Sequence, residues 1–420
     1  MRSEPVNPPP PVRFGELLTD RTRSLPAREL RPGECQTQDG VLCRLCHASR
    51  LQYSQELEAK QSALEQFARD QLDATPLAPL IPSPEGRGYR TTTKRKMFQT
   101  RRGWTFGLID PDDEGKLRGL EVQECVIEPP VHGRLYRVAG EFFRSPEGSS
   151  LASRTRHVVI RGGPAEQTLI LTVDELSAAF RSATRLSKML GTQVPSLVGG
   201  FLYEDTTRGS HYLGTRGTGA HVQARKLFGK AEIFLRVLAK PFLFSPFVFS
   251  QVNPLLVERM ILTVADLLEP DPRGMLYDLY CGYGLFALSL ADRFRGSVGM
   301  EVSALSVGAA RRNAERQRAQ KARFQVGEIT PERIGSMLRG LRPADRVLLD
   351  PPRNGAGPGV IEAIAARRPR RAVHIVCNID LLGRELRRWK EAGYRVVTAV
   401  PLDMFPGTST IETVVALERS

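Results

Sequence analysis

Residues 275–284 read MLYDLYCGYG, a short apolar run that closes on Gly282-Tyr283-Gly284. A Gly-X-Gly directly after a strand lets the backbone turn sharply beside a ligand. No third glycine follows where a dinucleotide pyrophosphate would need one. Downstream come further strand-like pieces: SVGMEV (297–302), ARFQVGE (322–328), RVLLDPP (346–352), AVHIVCN (372–378), YRVVTAVPL (394–402) and TVVALER (413–419). Helical stretches separate most of them, among them SALSVGAARRNAERQR (303–318) and IDLLGRELRRWKEAG (379–393). Apolar strands alternating with helices predict an α/β fold, an open and mostly parallel sheet covered on both faces. Ligands of such sheets bind at the carboxyl ends of the strands.

The residues at those ends carry the chemistry. The second strand ends in Glu301, whose carboxylate can accept both hydroxyls of a ribose. Gly282, Gly284 and Glu301 together fit an adenosine-containing cofactor, and the missing pyrophosphate signature favours S-adenosylmethionine over NAD. The strand at 346–349 runs into Asp350-Pro351-Pro352-Arg353. Two prolines stiffen that loop and hold Asp350 at the mouth of the cleft. Arg353 stands where amino-group methyltransferases of adenine place a stacking aromatic, which disfavours that reaction. Cys377 ends the strand after it and is placed to act as a nucleophile. Cys281, inside the glycine loop, reads better as a small buried filler. Carbon 5 of uracil becomes nucleophilic only after a thiolate adds at carbon 6, and its proton must then be removed. Such a reaction needs a Cys, a base and a methyl donor around one carbon. Glu412, opening the last strand, is the candidate base.

The remaining chain is consistent with a soluble protein that meets a polyanion. Hydrophobic residues make up 41% and charged residues 25% of the 420, which excludes a wholly disordered or collagen-like chain. No apolar stretch is long enough to span a bilayer, and the N-terminus has no signal-like apolar core, so the cytoplasm is the expected compartment. Sixty Lys and Arg against 46 Asp and Glu leave a net charge of +14, which favours a nucleic-acid partner. Pro8 to Pro11 predict an extended, disordered segment over residues 1–34. Leu51, Leu57, Leu64, Phe67 and Leu72 recur at helical spacing. HVVIRGG (157–163), QTLILTVDE (167–175), SLVGGFLYED (196–205) and HYLGT (211–215) read as strands, and 174–190 as a helix.

Taken together, Phe249-Ser250-Gln251-Val252-Asn253, Asp278 through Gly284, Glu301, Asp350 through Arg353, Cys377-Asn378 and Asp403-Met404-Phe405-Pro406 before Glu412 resemble the RNA 5-methyluridine methyltransferases. The resemblance covers about residues 244–420. It implies a C-terminal class I, Rossmann-like methyltransferase sheet (241–420), an α+β central RNA-binding domain (81–240) and an N-terminal cysteine segment with its helix (35–80). It implies Cys377 as nucleophile, Glu412 as base, and Gln251, Tyr280, Glu301 and Asp350 around S-adenosylmethionine, with Phe249 near the target base. Tyr89-Arg90 through Lys94-Arg95-Lys96 resembles the basic segment that opens the family's central domain and would meet phosphates.

Cys35, Cys43, Cys46 and Cys125 look like the four-cysteine site of those members that carry a [4Fe-4S] cluster. Donor chemistry alone suits iron–sulfur or zinc; the resemblance selects iron–sulfur. Such a cluster would clip the helix at 51–72 onto the central domain. The layout is closest to the short bacterial enzymes that methylate a uridine in 23S ribosomal RNA. It implies RNA as partner, with neither a membrane nor a protein partner. Two residues depart from the family pattern: Ile379 where a proline follows Cys-Asn, and Thr410 where a histidine precedes the base. The alternatives are the same chemistry on tRNA, or an iron–sulfur RNA-binding factor with impaired catalysis.

Overall fold

The computed structural model describes residues 12–73, 75–101, 103–111, 117–205 and 223–420 of the chain. Its first elements are α1 (Phe14–Thr22) and α2 (Tyr53–Gln71). Disorder predicted over 1–34 is corrected from Phe14 onward. Phe14, Leu17 and Leu18 are buried, and the Phe14 ring meets Phe67 of α2 edge to face at 6.1 Å. These three apolar residues share one helical face, a pattern masked in the sequence by the proline run, which lies outside the described residues. The helix predicted over 51–72 forms as α2.

The central region is one sheet of β1 (Thr92–Thr100), β2 (Gly103–Pro111), β3 (Leu117–Leu120), β4 (Thr155–Arg161), β5 (Gln167–Val173), β6 (Leu197–Glu204) and β7 (Ala224–Gly229). Its order is β3-β2-β1-β4-β5-β6-β7, and only the β5–β6 pair is parallel. α3 (Pro130–Arg144), α4 (Pro146–Arg154) and α5 (Leu176–Gln193) cover one face, packing Leu135, Phe143, Leu151 and Leu186 onto Val158, Ile160, Leu169 and Leu171. On the other face, Val159, Ile170, Phe201 and Tyr203 gather around Phe247. The strands read at 157–163, 167–175 and 196–205 are β4, β5 and β6; the one read at 211–215 lies outside the described residues.

β8 (Ile233–Val237) and β9 (Lys240–Phe244) form a separate hairpin. Val237, Phe242 and Phe244 join the core of the C-terminal sheet. The division drawn at 240/241 therefore cuts a hairpin that packs with the C-terminal half.

That half contains, in chain order, α6 (Pro254–Leu268), β10 (Met275–Leu279), α7 (Leu285–Ser289), β11 (Gly296–Glu301), α8 (Ala304–Arg316), β12 (Ala322–Val326), α9 (Pro331–Met337), β13 (Arg346–Leu349), α10 (Val360–Ala365), β14 (Arg371–Val376), α11 (Leu382–Glu391), β15 (Tyr394–Leu402) and β16 (Glu412–Arg419). The strand order is β12-β11-β10-β13-β14-β16-β15. The first five strands are parallel, and β16 runs antiparallel between β14 and β15. Every residue of β13 and β14 is buried, as a sheet covered on both faces requires. The chain leaves β10 toward β11 on one side and is rejoined by β13 on the other, so a crevice opens above the carboxyl end of β10.

The N-terminal segment belongs to this half. Leu64 and Phe67 of α2 share a core with Leu382, Leu386 and Trp389, and Leu77 and Ile81 bridge to Ala399 and Leu402 of β15. The apolar face of α2 packs on α1 and shares the core of the C-terminal half. Its polar anchor is a charge network centred on the buried Glu56, Lys60 and Asp403. Lys60 Nζ lies 2.6 Å from Glu56 and 2.8 Å from Asp403; Arg87 reaches Glu56 at 2.8 Å, and the Tyr53 hydroxyl donates to Asp403 at 3.0 Å.

Candidate active site

The loop after β10 is tightly coiled. Tyr280, Gly282 and Gly284 have φ of +64°, +53° and +86°. A Cβ on Gly284 would fall 3.0 Å from Leu288 and 3.1 Å from Phe324, so glycine is needed there for space and for conformation. A Cβ on Gly282 would meet nothing within 4 Å, so that side of the loop is open. The Gly282 N–H donates to Glu301 at 3.3 Å, and the Ser303 N–H holds the other oxygen at 2.9 Å. Cys281 is buried against Gly299, where a Cβ would lie 2.7 Å from its sulfur. That placement suits the filler reading.

Asp278 joins the site from inside β10 without being among the residues expected there. It is fully buried; one carboxylate oxygen accepts the Ala287 N–H at 3.0 Å, and the other has no hydrogen-bond partner among the described residues. Burial, with Asp350 and Glu301 nearby, pushes its carboxyl up to about 8. The available signal was an acid inside the apolar strand MLYDL. Asp350 follows β13 and is pushed up to about 7 by burial and by Glu301.

Sheet register brings Cys377 and Glu412 together. Val376 pairs with Thr413 across the antiparallel β14–β16 ladder, so the residue after one and the residue before the other are neighbours. Glu412 also pairs with Leu402 of β15. It is 2% exposed, far from an edge-strand carboxylate. Burial, then Asp350, push Glu412 up to about 8, with Arg353 opposing. Burial, then Glu412 and Asp350, push the half-buried Cys377 thiol up to about 12, again against Arg353. Arg353 also donates to the Thr410 hydroxyl at 3.2 Å, so the position of the family's histidine is tied to the Asp-Pro-Pro-Arg loop. Ile379, at the other departure, is buried.

Gln251 is half-buried in the loop between β9 and α6. That loop is held by Arg161, whose place in the site had no sequence signal beyond a charge inside an apolar strand. The buried guanidinium donates to the carbonyls of Pro246 at 2.5 Å and Val248 at 2.6 Å, and to the Ser250 hydroxyl at 2.6 Å. Phe249 between them projects, 63% exposed.

The four N-terminal cysteines also meet. Cys35, Cys43, Cys46 and Cys125 line one cavity of about 820 Å³, whose wall includes Phe249, Pro352 and Thr408. A bridge between Glu34 and Glu124 lays the two segments side by side, with the Cys35 N–H donating to Glu124 O at 2.8 Å. The Cys43 N–H then returns to Cys35 O at 2.7 Å. Cys35 has φ +53°, an uncommon conformation for a residue with a side chain. Burial raises all four thiols, Cys46 to about 12. Among the described residues, no group of three or more His, Cys, Asp or Glu is arranged to hold a metal ion.

The basic segment is only partly available to a phosphate. Arg95 is buried, makes a bidentate pair with Glu128 at 2.6 and 2.7 Å, and lies 4.5 Å from the Tyr136 ring centre. Tyr89 is buried too, donating to Pro406 O at 2.8 Å. Arg90 and Lys94 line the cavity, and Lys96 is exposed. Alternation along β1 sends Arg95 inward and Lys94 and Lys96 to the opposite side.

A parallel sheet with one antiparallel strand near its end, a glycine loop after β10 and an acid ending β11 define a class I methyltransferase. Residues 232–420 match the family model described as tRNA (Uracil-5-)-methyltransferase. An uncharacterized RNA methyltransferase of Gloeobacter violaceus is 30% identical, over 90% of this chain and 81% of that protein. The 23S rRNA (uracil(1939)-C(5))-methyltransferase of Stenotrophomonas maltophilia is 29% identical over the same shares. Among solved structures, the tRNA (uracil-54, C5)-methyltransferase of Pyrococcus abyssi in complex with S-adenosyl-L-homocysteine shares the fold. Its TM-score is 0.65 at 22% identity, covering 90% of this chain and 87% of that one. The chain belongs to the RNA 5-methyluridine methyltransferase family: it is an S-adenosylmethionine-dependent RNA (uracil-5-)-methyltransferase, and RNA is its substrate. No helix among the described residues is long and apolar enough to cross a membrane.

Proposed function

We propose that the chain methylates carbon 5 of a uridine in 23S ribosomal RNA through a covalent bond between Cys377 and carbon 6. The observation that carries this reading is the β14–β16 register, which sets the thiol beside the buried Glu412. In the reaction the Cys377 sulfur, as thiolate, bonds to carbon 6, and the displaced electron pair spreads over carbon 5 and the neighbouring carbonyl. Carbon 5 then takes the methyl group from the sulfonium. Glu412 removes the carbon 5 proton, the 5,6 double bond re-forms, and the sulfur is expelled. Gln251, Tyr280, Gly282, Gly284, Glu301 and Asp350 form the donor's cleft, with Glu301 aimed by two backbone N–H groups. The uridine leaves its stack to reach this depth, and the exposed Phe249 is placed to fill the gap. The ribosomal target is supported by the Stenotrophomonas relative, which matches nearly the whole chain.

The four-cysteine cavity belongs to the same proposal. Four cysteines around one cavity, with Glu128 of its lining engaged by Arg95, support a [4Fe-4S] cluster. A zinc ion would draw all four sulfurs to within 2.3 Å of one point, whereas a cluster accepts ligands spread around a larger body. Bound there, it would serve as a structural staple between residues 35–46 and the turn at Cys125.

RNA containing 5-fluorouridine should trap a stable protein–RNA adduct, and Cys377→Ala should lose it while still binding RNA. Methylation surviving in Cys377→Ala would reject the nucleophile. Nucleoside mapping of cells lacking the protein should show 5-methyluridine missing from 23S ribosomal RNA; its loss from tRNA alone would replace the substrate. Anaerobic purification should yield iron and sulfide, and a colourless protein with one zinc would overturn the cluster.

A further inference from the structure

The family model begins at residue 232, and α1 lies outside it. We infer that α1 is a positioning element for the reactive pair, clamping the segment after Cys377 and the segment before Glu412. This inference rests on the assignment of that pair.

The contacts are specific. The Phe14 N–H, first of the helix, donates to Asp380 Oδ1 at 2.8 Å. Asp380 stands in the short turn Ile379–Leu381 that directly follows Cys377-Asn378. The Ile379 side chain, 3% exposed, shares one core with Phe14, Leu17, Leu18, Phe67 and Leu382. At the next residue the helix approaches the other segment: a Cβ on Gly15 would lie 3.4 Å from Ser409 Oγ and 3.3 Å from His47 Nε2. Ser409 precedes Thr410 and Ile411, which lead into Glu412. One turn of α1 therefore meets both strand-end segments, and it is itself anchored on α2 through Arg21, which donates to Ser62 at 2.9 Å and Gln66 at 2.5 Å.

This arrangement gives Ile379 a purpose. A proline after Cys-Asn stiffens the loop covalently. Here the same position is filled by a side chain that can be held only from outside, and α1 holds it. Asn378 already has the extended backbone (φ −127°, ψ 100°) that precedes proline without strain. Covalent stiffness should therefore be able to replace the clamp.

Steady-state methylation by the full-length protein tests the inference. Asp380 is exposed, so its substitution leaves the fold intact. Asp380→Ala should lower kcat about tenfold, the scale of a sub-ångström misplacement, with KM for RNA and for S-adenosylmethionine unchanged. Asp380→Asn, which keeps an acceptor oxygen, should restore most of it. Phe14→Ala should lower kcat likewise, and adding Ile379→Pro to Phe14→Ala should recover it. An unchanged kcat in Asp380→Ala, equal losses in the Ala and Asn variants, or a loss confined to KM would each overturn the clamp. If Cys377→Ala still methylates, the assignment of the pair fails instead, whatever the Asp380 variants do.

Discussion

Asp278→Asn should stabilise the ligand-free protein, and increasingly so as pH rises. The ordinary Asp carboxyl of the unfolded chain loses its proton near 3.9, whereas burial holds the folded one up to about 8. Between those values the folded state keeps a proton that the unfolded state has released. Stability from this group is therefore fully present below about 4 and drains away as pH rises toward 8, at about 1.4 kcal/mol per pH unit. From pH 5 to pH 8 the wild type loses about 4 kcal/mol on this account, and an amide, which does not titrate, loses none. Glu412 titrates in both proteins, and because Asp350 raises Asp278 the comparison reports the Asp278 carboxyl together with its coupling to Asp350.

Urea unfolding at pH 5, 6, 7 and 8 measures it. The stability gap between variant and wild type should widen steadily toward pH 8, in the variant's favour. Gaps that stay within about 1 kcal/mol of each other across that range would refute the premise that a neutral carboxyl is held under the glycine loop. The same variant should bind S-adenosylmethionine more weakly by calorimetry, because an amide brings no negative charge to a cationic donor.

Lys60→Met should destabilise the protein by about 3–5 kcal/mol in urea, because it leaves Glu56 and Asp403 buried without the cation they share. Glu412→Gln should lower turnover about 10²- to 10⁴-fold while a methylated protein–RNA adduct accumulates on denaturing gels, since the carbon 5 proton has no acceptor. For the wild type, kcat/KM should climb with pH through about 8 as Glu412 gives up its proton; a profile flat from 6 to 9 would remove it as base. Lys96→Ala should reduce the salt dependence of RNA binding by about one counterion. Arg95→Met should leave that slope unchanged and instead lower the unfolding midpoint.

Local pattern carried most of the C-terminal fold. Each strand read from 275 to 419 is present because apolar runs between amphipathic helices have few other uses. The pairing of Cys377 with Glu412 was not local, yet β16 could be read as beginning at Glu412, and a strand inserted beside β14 closes the distance. The residues that escaped notice were charged ones whose partners lie far along the chain. Lys60 is one charge among several in α2, and its partner Asp403 sits in a loop more than three hundred residues away. Arg95 looked like one of a row of phosphate ligands, but Glu128 captures it. Arg161 is a charge in an apolar strand, and the Pro246–Ser250 loop needs its guanidinium. Periodicity reports which side of an element faces inward and carries no information about which buried charge awaits on the other element.

The cleft concentrates carboxyl groups that burial holds toward their neutral form. Glu301 raises Asp278 and Asp350, Asp350 raises Asp278 and Glu412, and Glu412 and Asp350 raise the Cys377 thiol. Arg353 is the cation that opposes this at both Cys377 and Glu412, and it reaches in from an exposed loop. In the free protein at pH 7 Asp278 and Glu412 keep their protons, and a thiol held up to about 12 is a poor nucleophile. On the proposed mechanism a cationic donor enters beside Asp350 and favours the carboxylate form of that residue and of its neighbours. The sulfur does not gain from added carboxylate charge; it gains from the sulfonium itself and from Arg353. On the proposed mechanism, donor binding therefore precedes productive attack on the base, and it does so through the donor's charge. Adduct formation with 5-fluorouridine RNA should accordingly be slow without donor at pH 7 and should accelerate when S-adenosylmethionine is added. The neutral S-adenosyl-L-homocysteine should fail to produce that acceleration, because it fills the same cleft without the charge.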